Sequence, residues 1–180
     1  MSNVKKYVLT AVTLGCIAMA SGLLIGATNL ITAERIENNN QLKIENGIKE
    51  VLKTSDSPYI YEMDTGSLDG YKYLDKCYGV QADKDTPSFV GVAFLTSGSN
   101  MYGKVSLIIG FGADQSFKGV YFVTNEQTYA STLVENYIDP VNAGTREIED
   151  VKCGATYGAT LVKDMINEAK DALPSFLGYI

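Results

Sequence analysis

Asp150-Val151-Lys152-Cys153-Gly154-Ala155-Thr156 is a short run with an acid at one end, a hydroxyl at the other and small residues between. Residues 158–173 follow it with the apolar spacing of an amphipathic helix. A hydroxyl at that junction stands where unpaired backbone N–H groups and the positive end of the helix dipole favour an anion. The same residues also read as an ordinary helix start with threonine near the N-cap. Gly-Ala-Thr occurs three times, ending at Thr28, Thr156 and Thr160. Only the middle copy has an acid, Asp150, six positions before its threonine; Gly22 and Gly154 hold that place in the others.

The chain of 180 residues contains no histidine. That excludes Ser-His-Asp hydrolysis, histidine-based zinc sites and His-ligated haem. A site of carboxylates alone stays open, but no loop has calcium-binding spacing; the expectation is no metal site, and no catalytic residue is singled out. Cys16 falls in an apolar run, whereas Cys77 and Cys153 lie beyond it. The latter two are open to a disulfide in an oxidising compartment or to plain burial as thiols. Two cysteines alone do not hold a cluster.

Residues 7–31 carry no charge. As a helix they span about 37 Å, enough for a hydrocarbon core of ~30 Å with some tilt. Lys5 and Lys6 precede the run, and Glu34, Arg35 and Glu37 follow it. The positive-inside rule then predicts a single-pass anchor with a cytoplasmic N-terminus and the bulk of the chain outside. Two rival expectations, a cleaved signal ending near Ala18-Met19-Ala20 and a lipoprotein signal ending at Cys16, suit a shorter apolar run. All 21 acidic residues follow Ile31, with 13 of the 15 basic ones. The outer part is therefore acidic, and no basic stripe exists to bind nucleic acid.

The elements that must position Thr156 can be read in turn. Residues 1–32 are predicted to hold the cytoplasmic N-terminus and transmembrane helix. Residues 33–54 form a helical stalk with Ile44, Ile48 and Val51 on one face, which Asn38-Asn39-Asn40 and Gly47 weaken. Residues 55–180 form the external domain. Strands are expected over 59–63, 71–80, 89–95, 103–110 and 117–124, with loops at 81–87, 96–100 and 112–115. Turn signals stand at 55–58, 64–67 and 69–70. A helix over 128–138 ends at Asp139-Pro140. The last helix carries Leu161, Val162, Met165, Ile166, Ala169 and Leu173 as one stripe and ends at Pro174. The fold class is α+β: a transmembrane helix, then one external domain with an antiparallel sheet packed by helices.

The motif and this layout resemble the FMN-binding domain family, and most closely the RnfG component of the Rnf electron-transport complex. A similar component occurs in the sodium-pumping quinone reductase. The resemblance rests on an Asp-x-x-(Ser/Thr)-Gly-Ala-Thr motif near the C-terminus of a membrane-anchored, strand-rich domain. The run from Leu107-Ile108-Ile109-Gly110 through Gly119-Val120 also looks like the family's strand, Asp-containing turn and strand. Cys153 stands where the family usually has Ser or Thr, and Gln127-Thr128-Tyr129-Ala130 replaces a Glu-Thr-Pro-Gly stretch. The resemblance implies FMN held covalently on Thr156 through a phosphoester. Gly154 and Ala155 would admit it, and Tyr157, Tyr129 and Thr128 would border the ring. Asp150, Cys153, Gly154 and Ala155 would be read by a flavin transferase. It further implies membrane partners in an ion-translocating ferredoxin:NAD oxidoreductase of the bacterial cell membrane. Two other readings stand beside it: a free-standing anchored FMN carrier, and a non-redox surface binding module.

Overall fold

The computed structural model describes residues 3–54, 57–63, 68, 70–85 and 88–177. The predicted turn at 64–67, Asp69, and residues 55, 56, 86 and 87 of two other turns lie outside the described residues. Two compact units are present, Met1–Leu42 and Lys43–Ile180.

The first unit holds the larger, N-terminal part of α1 (Asn3–Leu52), up to Leu42. Its apolar part has a mean hydropathy of 2.2 and is long and apolar enough to cross a membrane. Leu23, Leu24 and Ile25 are each at least 70% exposed, a surface suited to lipid rather than water. The hydroxyls of Thr10, Thr13, Thr28 and Thr32 donate to carbonyls four residues earlier, at 2.8–3.0 Å. Polar groups satisfied within their own helix are what a lipid environment demands.

α1 runs unbroken through Asn38-Asn39-Asn40 and Gly47, which the sequence read as weak points. Packing overrides propensity at Gly47, which is buried, with Tyr121 and Ile108 so close that a β-carbon would clash. The helix ends at Lys53, whose φ of +50° turns the chain, and Thr54 N–H returns to Lys49 O at 3.2 Å. The boundary between the units falls inside the predicted stalk. Ile44, Ile48, Val51 and Leu52 form an apolar stripe, so this last part of α1 belongs to the second unit.

Five strands follow as an antiparallel meander: β1 (Tyr59–Glu62), β2 (Leu74–Gln81), β3 (Phe89–Asn100), β4 (Gly103–Gly112) and β5 (Phe117–Asn125). Alternation along β4 sends Val105, Leu107, Ile109 and Phe111 to one face and Ile108 to the other. The first face packs on the C-terminal helices; the second packs on the stripe of α1. The sheet is thus buried on both sides. β3 extends through residues 96–100, which the sequence read as a loop. Its pairing runs from Thr96↔Leu107 to Asn100↔Gly103, because ladder bonds need no apolar side chain. Only Met101 and Tyr102 are left between the two strands.

After β5 come α2 (Ala130–Leu133), a π turn (Val134–Ile138) and α3 (Asp139–Asn142). The predicted stop at Asp139-Pro140 does not end this run. Asp139 N–H bonds to Val134 O, five residues back, and Pro140 sits in the first turn of α3, where its missing N–H costs little. Asn142 then pins α3 to β5, accepting from Val120 N–H at 2.8 Å and donating to Val120 O at 2.9 Å. The final helix, α4 (Thr156–Leu177), also outlasts its predicted stop at Pro174. Phe176 is fully buried, edge-on to Phe94 at 5.5 Å, and this burial holds the last turn in place. The predicted stripe of α4 is buried throughout. The α+β reading, a long apolar helix followed by a five-stranded antiparallel sheet with helices, therefore holds.

Candidate functional site

Thr156 is the first residue of α4 and is exposed. Beside it opens a pocket of about 250 Å³, lined by Tyr102, Gln127, Tyr129, Leu133 and the run Gly154–Gly158. Three tyrosine rings frame it. Tyr102 lies 6.1 Å from Tyr129 and 5.4 Å from Tyr157, centroid to centroid. Tyr129 and Tyr157 are 54% and 63% exposed, so their faces are open to a ligand.

The β3–β4 hairpin tip organises both walls. Asn100 Oδ1 accepts from Tyr102 N–H at 2.8 Å, and its Nδ2 donates to Tyr157 O at 3.1 Å. Tyr102 O accepts from the N–H and the hydroxyl of Thr128, at 2.9 and 3.3 Å. The buried Gln127 donates through Nε2 to Gly103 O. Its Oε1 lies on the pocket side, near the glycine that opens the floor. A β-carbon on Gly158 would stand 3.3 Å from that oxygen and 3.0 Å from Leu133 Cδ2.

The three Gly-Ala-Thr threonines differ in what their hydroxyls do. Thr28 donates to Leu24 O and Thr160 donates to Thr156 O, both at 2.8 Å. The Thr156 hydroxyl has no hydrogen-bond partner among the described residues. It is therefore available as a nucleophile, and α4 begins beneath it with unpaired N–H groups that favour an anion.

The loop before Thr156 alternates. Asp150, Lys152, Gly154 and Thr156 are exposed; Val151 is half-buried; Cys153 and Ala155 are buried. Gly154 has φ +86°, a conformation that only glycine adopts without strain. Arg146 grips the far end. It donates to Asp150 O at 3.3 Å and Lys152 O at 3.5 Å, and its other nitrogen lies 3.5 Å from the Asp150 carboxylate. Asn136 Nδ2 donates to Cys153 O at 3.2 Å.

Sequence reasoning thus placed Gly154, Ala155, Thr156, Tyr157 and Tyr129 together at one pocket, and they meet there. Thr128 does not line it; it braces Tyr102 from behind. Asp150 and Cys153 lie outside it as well, on the approach to Thr156. Tyr102, Leu133 and the bracing Asn100 were missed. Their only sequence signal is an Asn-x-x-Gly step between strands, Asn100 to Gly103, which was hidden by ending β3 too early. The disulfide left open between Cys77 and Cys153 is not made. Both are free buried thiols, and Cys77 Sγ sits 3.8 Å from Met63 Sδ. Burial pushes the Cys77 thiol well above its ordinary range.

The pocket suits a phosphate-tethered aromatic group. It combines a free hydroxyl at a helix N-terminus, glycines that admit close approach, and open aromatic faces. No curated protein matches the chain. Residues 1–51 match the family model described as the RnfG N-terminal region, which covers α1 and stops before the sheet. Residues 1–51 are thus similar to the N-terminal region of RnfG, a match that supports an RnfG-like subunit of an Rnf-type complex.

Proposed function

We propose that the chain is a membrane-anchored electron carrier with FMN esterified through its phosphate to Thr156. It works as the flavin-bearing subunit of an Rnf-type, ion-translocating ferredoxin:NAD oxidoreductase. The observation that carries this reading is the unpartnered Thr156 hydroxyl at the start of α4, beside a pocket framed by tyrosines. The match of residues 1–51 supports the assignment to a complex.

The flavin, when bound, supplies the electron-transfer chemistry. The chain's own residues bind, orient and shield. The N-terminus of α4 would neutralise the phosphate, with Gly154 and Ala155 leaving room for it. Tyr157, Tyr129 and Tyr102 would offer ring contacts, and Thr128 would hold Tyr102 in place. Gln127 Oε1 would accept a hydrogen bond from the bound group, since its amide nitrogen is engaged by Gly103 O. Lys5 and Lys6 favour a cytoplasmic N-terminus, with the pocket on the external side of the bacterial membrane. Covalent attachment suits that side, where a lost flavin is not readily recaptured. Maturation requires a flavin transferase.

The test is flavin fluorescence on a denaturing gel after expression with a flavin transferase. Wild type and Thr160→Ala should fluoresce, and Thr156→Ala should be dark. Fluorescence that survives in Thr156→Ala moves the attachment site. A dark wild type beside a labelled control flavoprotein overturns the covalent-flavin reading and leaves the surface-binding alternative.

A further inference from the structure

Thr156 is singled out by its own position, but the loop leading to it is held by residues outside the motif. Arg146 bonds two loop carbonyls and the Asp150 carboxylate, and Asn136 bonds a third carbonyl, that of Cys153. These contacts are spaced along residues 150–153, and they fix which way each side chain faces. Cys153 and Ala155 point inward as anchors, while Asp150, Lys152, Gly154 and Thr156 form the outer edge.

We infer that Arg146 is a positioning residue for the flavin-transfer reaction, with Asn136 as its assistant. The transferase meets a loop already shaped on the folded domain, and it reads the outer edge. This inference rests on the reading of Thr156 as the flavin-bearing residue. In the reaction, Thr156 Oγ attacks the phosphorus that carries the riboflavin part of a flavin dinucleotide. A P–Oγ bond forms and the pyrophosphate P–O bond breaks. Adenylate leaves with that bond's electron pair, and the hydroxyl proton passes to a base of the transferase. No redox change occurs. Arg146 touches none of the reacting atoms. It acts by removing loop disorder that would otherwise have to be lost on docking.

The same geometry accounts for cysteine at a position where the resembling family has Ser or Thr. Cys153 is only 7% exposed and lies in the core cluster that holds Tyr137.

The experiment measures initial labelling rates of the full-length chain in detergent, with a purified flavin transferase and flavin dinucleotide, across a range of chain concentrations. Arg146→Ala, Arg146→Lys and Asn136→Ala are compared with wild type, and thermal melts confirm folding. Arg146→Ala should lower kcat/KM about tenfold, mainly through KM, as expected for losing charge-assisted bonds that order a docking loop. Arg146→Lys should recover part of the loss, keeping the charge but not the fork of donors. Wild-type rates in folded Arg146→Ala and Asn136→Ala would overturn the inference. Should Arg146→Ala fail to fold, Asn136→Ala decides it alone. An unlabelled wild type, beside a labelled control flavoprotein, would overturn the reading of Thr156 instead.

Discussion

Individual side chains at this site are chosen by what their neighbours leave unsatisfied. Thr28 and Thr160 share the tripeptide of Thr156, yet each hydroxyl is engaged by its own helix. Thr156 differs because it opens α4 and so has no carbonyl a turn behind it to bond. The thiols separate in the same way. Cys77 is wholly buried and held in its neutral form, so it should resist alkylation by a soluble maleimide until the domain unfolds. Rapid labelling under native conditions would contradict its placement against Met63. Cys153→Ser should keep flavin labelling while costing about 1–3 kcal/mol of stability, because it buries a hydroxyl in a space shaped for sulfur. A denaturant melt and the gel assay read the two effects separately.

Among the elements, the helix ends show tertiary contacts overriding local signals. Pro174 lies within α4 because Phe176 beyond it is clamped against Phe94. Phe176→Ala should therefore destabilise the domain by about 3–5 kcal/mol, the range for emptying a buried aromatic site. Pro174→Ala should change stability little or raise it slightly, since it restores one helical N–H without disturbing the packing. A large loss in Pro174→Ala, seen in urea melts, would mean the proline itself shapes the last turn. The β3–β4 hairpin is a second case. Its tip has no apolar pattern, yet Asn100 ties it to Tyr157 and thereby sets a wall of the pocket.

For the molecule as a whole, the decisive feature is that the second unit takes part of α1 as its own. Ile48, Val51 and Leu52 are buried with Val80, Ala93 and Ile108 on the face of the sheet away from α4. A chain beginning at Lys43 should fold and remain soluble, whereas one beginning at residue 55 should expose that face and aggregate. Circular dichroism and size-exclusion chromatography of the two would show it; equal behaviour would mean the stripe of α1 is dispensable. The domain should also weaken in alkali. Burial raises the thiol of Cys77 from its ordinary 9.0 and the phenol of Tyr137 from its ordinary 10.0. For both groups the folded state favours the neutral form. Their contribution is full below the unfolded values and is lost as pH rises past about 9 to 10 towards the folded ones. Melting temperatures measured across pH 7–11 should fall on the alkaline side, and less so in Tyr137→Phe.

What the sequence determined by itself is whatever a local period or a length threshold encodes. The apolar run of α1, the alternation of the strands and the stripe of α4 are of this kind, because burial on one face must repeat with the geometry of the element. The spacing from Asp150 to Thr156 singled out one threonine of three for the same local reason. Tertiary structure alone decided where elements stop and which residues meet. Pro140, Pro174 and Gly47 carry local signals for breaking a helix, and long-range contacts of a few kcal/mol outweigh each of them. Tyr102, Leu133 and Gln127 join the pocket only because the meander brings the β3–β4 turn beside the segment after β5 and the start of α4. Arg146 and Asn136 came within reach of the loop only once the π turn and α3 had set its path. No period or spacing records those distances, because they are set by the packing of the whole sheet.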